Sequence, residues 1–210
     1  MNDSQRASSS KQTKKRRWAW KEYVFLAALA FSIGAVFSFF ASAVRMDVKS
    51  SSGDVITTYG PAYCFIFGGE IVSEYTSYSF KGPNGMLLSA WILMIVGLLG
   101  IAVATLFSFF SKLREETRTS IFLFGALCEG TASILLFSSK TALAKSLCVI
   151  FLGSCSENVA NTIRSNLRLQ FGVWGTGLFA LFSAIIVLIV LIREKMLVRL
   201  FQAIAGKVKR

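Results

Sequence analysis

Glu129 is the one charged residue inside the four long apolar stretches of this chain. A carboxylate at the bilayer centre costs about 2.5–3.5 kcal/mol on insertion scales, so it should face a bundle interior and hold a partner or a proton. Burial favours its neutral form, which suits a proton relay or a cation site. The alternative is a structural Glu129 that hydrogen-bonds Ser or Thr of a neighbouring helix. If the hydroxyls of Thr105, Thr131 or Ser133 lay near Glu129, they would favour the interpretation of Glu129 as a transport site.

Three of the four cysteines, Cys64, Cys148 and Cys155, are predicted to lie on the outer side of a membrane, where disulfides are permitted. A bridge from Cys64 to either of the others would join the two outer loops. A Cys148–Cys155 bridge requires Gly153 to break a helix, because seven helical residues separate the α-carbons by about 10 Å. Free thiols are the remaining alternative. Cys128, inside an apolar stretch, is interpreted as a packing residue.

Catalytic and cofactor chemistry has little support in the sequence. Histidine is absent, which removes the usual general base and the commonest metal ligand. No CxxC pair and no phosphate-binding glycine motif is present. Four carboxylates of the first outer loop are scattered and assemble no site: Asp47, Asp54, Glu70 and Glu74. We therefore expect a protein that is not an enzyme, with no catalytic, cofactor-binding or metal-binding residues.

The elements that must position these residues are four apolar spans. They cover residues 23–44, 86–110, 120–137 and 171–192. A run of about 18 or more apolar residues matches the roughly 30 Å hydrocarbon core of a bilayer. The 210 residues are 54% hydrophobic with mean hydropathy +0.59, which leaves little material for a separate soluble domain. The predicted fold is an all-α membrane protein, a four-transmembrane-helix bundle over residues 23–192.

The net charge of +12 is concentrated on one side of this topology. Sixteen of the 23 Lys and Arg residues fall in a basic N-terminal arm (1–22), the connection between spans two and three, and an amphipathic tail (193–210). The positive-inside rule then predicts a multi-pass plasma-membrane protein with both termini in the cytoplasm. The expected partners are the lipid bilayer and its anionic inner-leaflet lipids, with no nucleic acid. The basic residues assigned to that contact are Lys14, Lys15, Arg16, Arg17, Arg193, Lys195 and Arg199.

The first outer loop, residues 45–85, has β character. Residues 55–59 and 63–67 are β-prone runs on either side of Gly60-Pro61. This pattern predicts a small extracellular β-hairpin or sheet. Residues 71–80 would add a third strand or an aromatic skirt at the membrane interface.

The second outer loop, residues 138–170, contains one apolar segment at 142–153. About 12 residues are too few to cross a bilayer, so the segment is predicted to be an interfacial or re-entrant helix. The remainder of this loop is polar and carries no structural prediction.

A rival interpretation concerns the first span. A basic arm, an apolar core and Ala41-Ser42-Ala43 together imitate a signal peptide with its cleavage site. The apolar core of about 20 residues is longer than a typical signal-peptide core of 7–15, which favours a retained span. Both interpretations remain open at this stage.

Span four opens on small residues that would let a neighbouring helix approach closely: Gly172, Gly175, Thr176 and Gly177. Such a face more often serves packing within one chain than an interface between chains. A homo-oligomer formed through span four is the alternative.

The layout of cytoplasmic termini, four spans, a β-prone first outer loop and a shorter second loop is similar to that of claudin-like tetraspan proteins, in architecture alone. The claudin first-loop signature of a Trp, a Gly-Leu-Trp and two cysteines is missing, because this loop holds only Cys64. The motifs at 63–68 (YCFIFG) and 171–177 (FGVWGTG) resemble those of small uncharacterised four-span proteins of Gram-positive bacteria and their wall-less relatives. That family has no assigned activity, so the resemblance implies a topology and no mechanism.

Two functions are compatible with these observations. We expect a non-catalytic membrane protein whose outer loops form one platform that binds a protein partner or organises the membrane. The alternative is a small proton- or cation-coupled transporter or channel subunit in which Glu129 titrates.

Overall fold

The computed structural model describes residues 20–49, 55–73, 77–80, 83–110 and 114–208. Most of the predicted basic arm, including Lys14, Lys15, Arg16 and Arg17, lies outside these residues. The helices are α1 (Trp20–Ser38), α2 (Cys64–Phe67), α3 (Gly85–Phe110), α4 (Glu115–Ser138), α5 (Lys140–Leu152), α6 (Glu157–Asn166), α7 (Phe171–Arg193) and α8 (Met196–Val208). The strands are β1 (Ser42–Lys49), β2 (Val55–Pro61), β3 (Gly69–Ser73), β4 (Ser77–Phe80) and β5 (Leu167–Leu169).

Four of the described helices, α1, α3, α4 and α7, are long and apolar enough to cross a membrane. Helix α3 packs against α4, α4 against α7, α7 against α1 and α1 against α3, which closes a four-helix bundle. The prediction of a mostly helical chain with four span-length helices and a small antiparallel sheet is confirmed. Helix α4 starts at Glu115, five residues before the predicted span.

The predicted end of the first span at Val44 is wrong. Helix α1 ends at Ser38, whose hydroxyl donates to the Gly34 carbonyl at 2.8 Å, and β1 begins at Ser42. Ala43 and Val44 belong to β1 and are buried in the hydrophobic core of the protein. They do not continue α1. Both residues are buried because β1 is irregular between Ser42 and Val44, and these apolar residues extended the predicted span.

The sheet covers one end of the bundle. Its strand order within the described residues is β4-β3-β2-β1-β5, with every neighbouring pair antiparallel. Its buried side chains Val44, Met46 and Leu167 belong to the same core cluster as Leu87 of α3 and Val173 of α7. The sheet and the half of the bundle next to it therefore share one hydrophobic core.

The predicted strand at 63–67 is also wrong. Residues Cys64–Phe67 form the one-turn helix α2, in which the consecutive residues Phe65 and Ile66 are both buried. A strand would send neighbouring side chains to opposite faces, and this run has no such alternation. Gly68 and Gly69, both at positive φ, then lead the chain into β3. The third strand predicted over 71–80 is present as β3 and β4.

The apolar segment of the second outer loop forms α5, and the polar segment after it forms α6, which was not predicted. The two helices are bent by 111°. Helix α5 follows the end of α4, and α6 leads into β5, so the pair returns to the end of the bundle at which it started. A re-entrant or interfacial segment has this path.

Candidate functional site

The two outer loops share one pair of strands. Strand β1, from the first loop, pairs with β5, from the second, and the Gln170 N–H extends the pairing by donating to the Ala43 carbonyl at 2.7 Å. The opposite residues are Val44 with Leu169, Arg45 with Arg168, and Met46 with Leu167. Residues more than 120 positions apart therefore form one continuous surface.

The two faces of this strand pair differ in chemistry. Met46 and Leu167 are buried against the helices. Arg45 and Arg168 lie on the opposite face, which is partly exposed. The Arg45 Nε donates to Asp47 Oδ1 at 3.0 Å, and both side chains remain partly exposed. An ion pair this accessible to solvent contributes little stability, and both side chains reach the surface.

Helix α6 adds a polar surface beside the sheet. Ala160 is buried and Ile163 packs on the outer core, which anchors the helix. Its exposed residues are Glu157, Asn158, Asn161, Thr162, Arg164, Ser165 and Asn166. Such a face is typical of a surface in contact with water.

A disulfide joins Cys148 of α5 to Cys155 in the turn before α6, with the α-carbons 5.4 Å apart. Gly153 ends α5 in the left-handed conformation (φ 69°) and returns the chain toward Cys148. The alternative in which Cys64 bridges to either cysteine is wrong, because Cys64 is a free, buried thiol. The disulfide fixes the bend between α5 and α6.

Cys64 lies beneath the start of β3. Its Sγ is 3.8 Å from the Glu70 carbonyl oxygen, and a Cβ added at Gly69 would lie 2.8 Å from that sulfur. Burial raises the pKa of the Cys64 thiol. A protonated, buried thiol is a weak nucleophile, so Cys64 acts as a packing residue.

Asn84 joins the end of α3 nearest the sheet to α5, a role that the sequence analysis missed. Its Oδ1 accepts the Leu87 N–H at 3.1 Å, as a helix N-cap does, and its Nδ2 donates to Ser146 Oγ at 2.8 Å. Asn84 is buried. The signal was available, since Asn84, a favoured N-cap residue, stands two positions before a long apolar run that starts at residue 86.

Glu129 lies at the centre of the bundle and is fully buried. A Cβ added at Gly97 of α3 would lie 2.8 Å from its Cγ, so the carboxyl group occupies the space that this glycine leaves. The Ser32 hydroxyl of α1 lies near the carboxyl group. Even so, neither carboxyl oxygen has a hydrogen-bond partner among the described residues.

The hydroxyls at this depth differ from those named in the sequence analysis. Ser32 Oγ and Ser183 Oγ of α7 are 2.7 Å apart, and both side chains are fully buried. Thr105 and Thr131 instead donate to carbonyls of their own helices, and Thr131 faces outward. Ser133 donates to the Gly177 carbonyl of α7 at 2.8 Å. The polar groups grouped with Glu129 therefore come from spans one and four.

The small residues of span four pack within the chain. A Cβ at Gly172 would collide with the Ala41 carbonyl oxygen, and one at Gly177 would lie 3.2 Å from the Phe137 ring of α4. Gly175 lies beside the Phe171 ring, and Thr176 donates to the Gly172 carbonyl at 2.9 Å. Gly172 thus allows α7 to start against the α1–β1 turn.

The opposite end of the bundle carries α8. Arg193 lies 4.5 Å from the centre of the Trp20 ring, and Arg199 Nη1 lies 2.8 Å from Glu115 Oε1. Lys195 forms the turn before α8 with a φ of 53°. A groove of about 410 Å³ runs between α4 and α8, lined by Glu116, Thr117, Ser120, Ile121, Phe124, Leu200 and Ile204.

Comparison with protein-family models and with curated proteins finds no match for this chain. The class of the protein therefore rests on its geometry: a bundle of four span-length apolar helices with an antiparallel sheet over one end. The described residues contain no group of three His, Cys, Asp or Glu side chains that would hold a metal ion. Among the described residues, two features are candidates for function: the sheet with α6, and the cluster around Glu129.

Proposed function

We propose that this protein is a non-catalytic multi-pass membrane protein whose outer sheet and α6 bind a protein partner. The observation that carries the proposal is the pairing of β1 with β5, which makes one surface of two loops. A shared hydrophobic core supports that surface from below. A rigid scaffold beneath loops of polar residues is the usual arrangement of a binding site.

The chemistry of this surface favours a partner that presents acidic groups. Arg45 and Arg168 are directly opposite each other, and the exposed Arg164 lies on α6 close along the chain to β5. Charges on a binding surface steer association and select partners more than they add affinity. The aligned arginines would therefore guide an acidic patch onto the sheet.

The plasma membrane is the proposed location, with the sheet outside and both termini in the cytoplasm. The excess of Lys and Arg at the ends of the chain supports this orientation. Trp20 and Arg193 meet at the end opposite the sheet, together with α8. Phe201 and Ile204 of α8 are exposed, so this basic helix would insert its apolar face into an inner leaflet of anionic lipids.

Transport through Glu129 is the second candidate. It is favoured by an unpartnered, buried carboxyl group that meets hydroxyl-bearing helices. Full burial of Glu129 argues against a continuous water path, and the groove between α4 and α8 does not include this residue. We therefore rank transport below partner binding.

Site-specific photocrosslinking in intact cells tests the proposed binding surface. A photoreactive residue would replace Glu70 of β3 or Asn161 of α6, both exposed and from different outer loops. Matched controls are Gln202 of α8, exposed at the other end, and Phe124, exposed on the side of α4. We expect one protein adduct common to the two outer positions and absent from both controls. Outer positions that give no adduct above the Phe124 control would contradict the proposal.

A further inference from the structure

The polar cluster around Glu129 has no role in the proposed partner binding. Glu129 of α4, Ser32 of α1 and Ser183 of α7 are all fully buried. Both carboxyl oxygens lack a hydrogen-bond partner among the described residues. A buried polar group without a partner costs free energy, so this arrangement requires a compensating interaction.

Within the part of the chain that the structure describes, no charged side chain offsets an ionised Glu129. Along the described helices packed around it, residues 24–38, 85–110 and 171–192 contain no Asp, Glu, Lys or Arg. On α4 itself, the nearest ionisable side chain is the Cys128 thiol, and the nearest basic residue is Arg118. Eleven helical residues separate Arg118 from Glu129, a rise of about 16 Å. Among the described residues nothing neutralises an ionised Glu129, so the buried carboxylate needs either a proton or a bound cation.

The donor set defines the kind of cation that fits. A carboxylate and two hydroxyls are hard oxygen ligands, which bind hard cations. A single carboxylate neutralises one positive charge, whereas a divalent ion would leave a net charge in the bundle interior, at high cost. Ser32 and Ser183 hydrogen-bond each other at 2.7 Å, yet each oxygen keeps a lone pair for a cation.

We propose that Glu129, Ser32 and Ser183 form a binding site for a small alkali-metal cation of the size of Na⁺ or Li⁺. The cation exchanges with a proton on the Glu129 carboxyl group, so one positive charge is always bound. Three of the four spans contribute an oxygen, and Gly97 of α3 leaves room for the carboxyl group. Occupancy therefore couples the packing of the whole bundle to the cation and proton concentrations.

Thermal unfolding of the purified full-length protein tests the site. Wild type and Glu129→Gln are compared at about pH 6 and about pH 9, in chloride salts of Na⁺, Li⁺, K⁺ or choline at equal ionic strength. At alkaline pH in choline we expect wild type to melt below the variant. Na⁺ or Li⁺ at a hundredfold excess over its Kd should then raise the wild-type Tm by about 5–10 °C and leave Glu129→Gln unmoved.

The double variant Ser32→Ala, Ser183→Ala keeps the comparison usable if Glu129→Gln does not fold. It retains the carboxylate and should need at least tenfold more Na⁺ for the same shift. A gap between wild type and Glu129→Gln that responds to pH and not to Na⁺ or Li⁺ would overturn the metal site and identify Glu129 as a protonated packing residue. Equal responses to Na⁺, K⁺ and choline would overturn it as well.

Discussion

Arg45 of β1 and Arg168 of β5 lie directly opposite each other across the strand pair that joins the two outer loops. Like charges in this position destabilise a sheet. Asp47 partly compensates Arg45 through its 3.0 Å ion pair. The pair concentrates positive charge on the solvent-accessible face of the sheet, as the proposed recognition of acidic groups requires.

Replacing Arg168 with Glu should stabilise the protein and, at the same time, weaken partner binding. Arg168→Glu creates an opposite-charge pair with Arg45 and should raise the free energy of unfolding by about 0.2–1 kcal/mol. The yield of the crosslinked partner should fall, because the positive patch is lost. Gln202→Glu, exposed on α8 at the other end of the bundle, is the control and should change stability by less than about 0.5 kcal/mol and leave the adduct yield unchanged. Unchanged adduct yield in Arg168→Glu would remove the electrostatic argument.

Gly97→Ala should destabilise the bundle. The added methyl would lie 2.8 Å from the Glu129 Cγ and 3.1 Å from the Gly125 carbonyl oxygen. Overpacking of this kind costs about 1–3 kcal/mol, measurable as a lower Tm. Gly85→Ala is the matched control on the same helix, where a Cβ meets nothing within 4 Å. A control that is as destabilised as Gly97→Ala would mean that contact with Glu129 is not the cause.

The Cys148–Cys155 disulfide should stabilise the α5–α6 bend. In a chain-entropy estimate, closing so short a loop contributes about 2–3 kcal/mol, which the double variant Cys148→Ser, Cys155→Ser should lose in an unfolding measurement. Protein denatured without reductant should alkylate at two cysteines only, Cys64 and Cys128. Alkylation at four sites in unreduced protein would show that the disulfide is absent.

The buried thiol of Cys64 predicts a dependence of stability on alkaline pH. Because burial raises the pKa of Cys64 in the folded state, its contribution is fully present below the unfolded thiol pKa of about 8.5. That contribution is lost as pH rises through the folded pKa. Tyr63 acts with the same sign, since the neighbouring Cys64 thiolate raises its pKa.

The measurement for this prediction is chemical unfolding of wild type and Cys64→Ala from about pH 7 to about pH 10. The stability of wild type should fall more steeply with pH than that of the variant. Parallel curves would indicate that Cys64 titrates in the folded protein as it does in the unfolded chain.

The sequence predicts those parts of the fold that depend on local composition. Spans at 86–110, 120–137 and 171–192 match helices because length and hydropathy suffice to define them. The end of α1 was mispredicted because Ala43 and Val44 look the same in an apolar helix and in a buried strand. Strand β5 has only three residues and a partner far away in sequence, so no local pattern could reveal it.

The same limit applies to the cluster around Glu129. Its carboxyl group was recognisable as the single charge in the spans. Its neighbours Ser32 and Ser183 belong to helices whose relative rotation follows from packing. The signal was only partial: each serine is an isolated hydroxyl near the middle of an otherwise apolar helix. The alignment of the two outer loops in one sheet likewise depends on how α1 and α7 come together.

The most direct test of the central claim is labelling of single cysteines with a membrane-impermeant maleimide on intact cells. Wild type is the negative control and should not be labelled, because Cys64 and Cys128 are buried and the other two cysteines are paired. Glu70→Cys and Ser165→Cys, one in each outer loop, should label without permeabilisation, whereas Gln202→Cys of α8 should label only after it. Labelling of Gln202→Cys on intact cells, with Glu70→Cys and Ser165→Cys protected, would contradict an outer platform built from both loops.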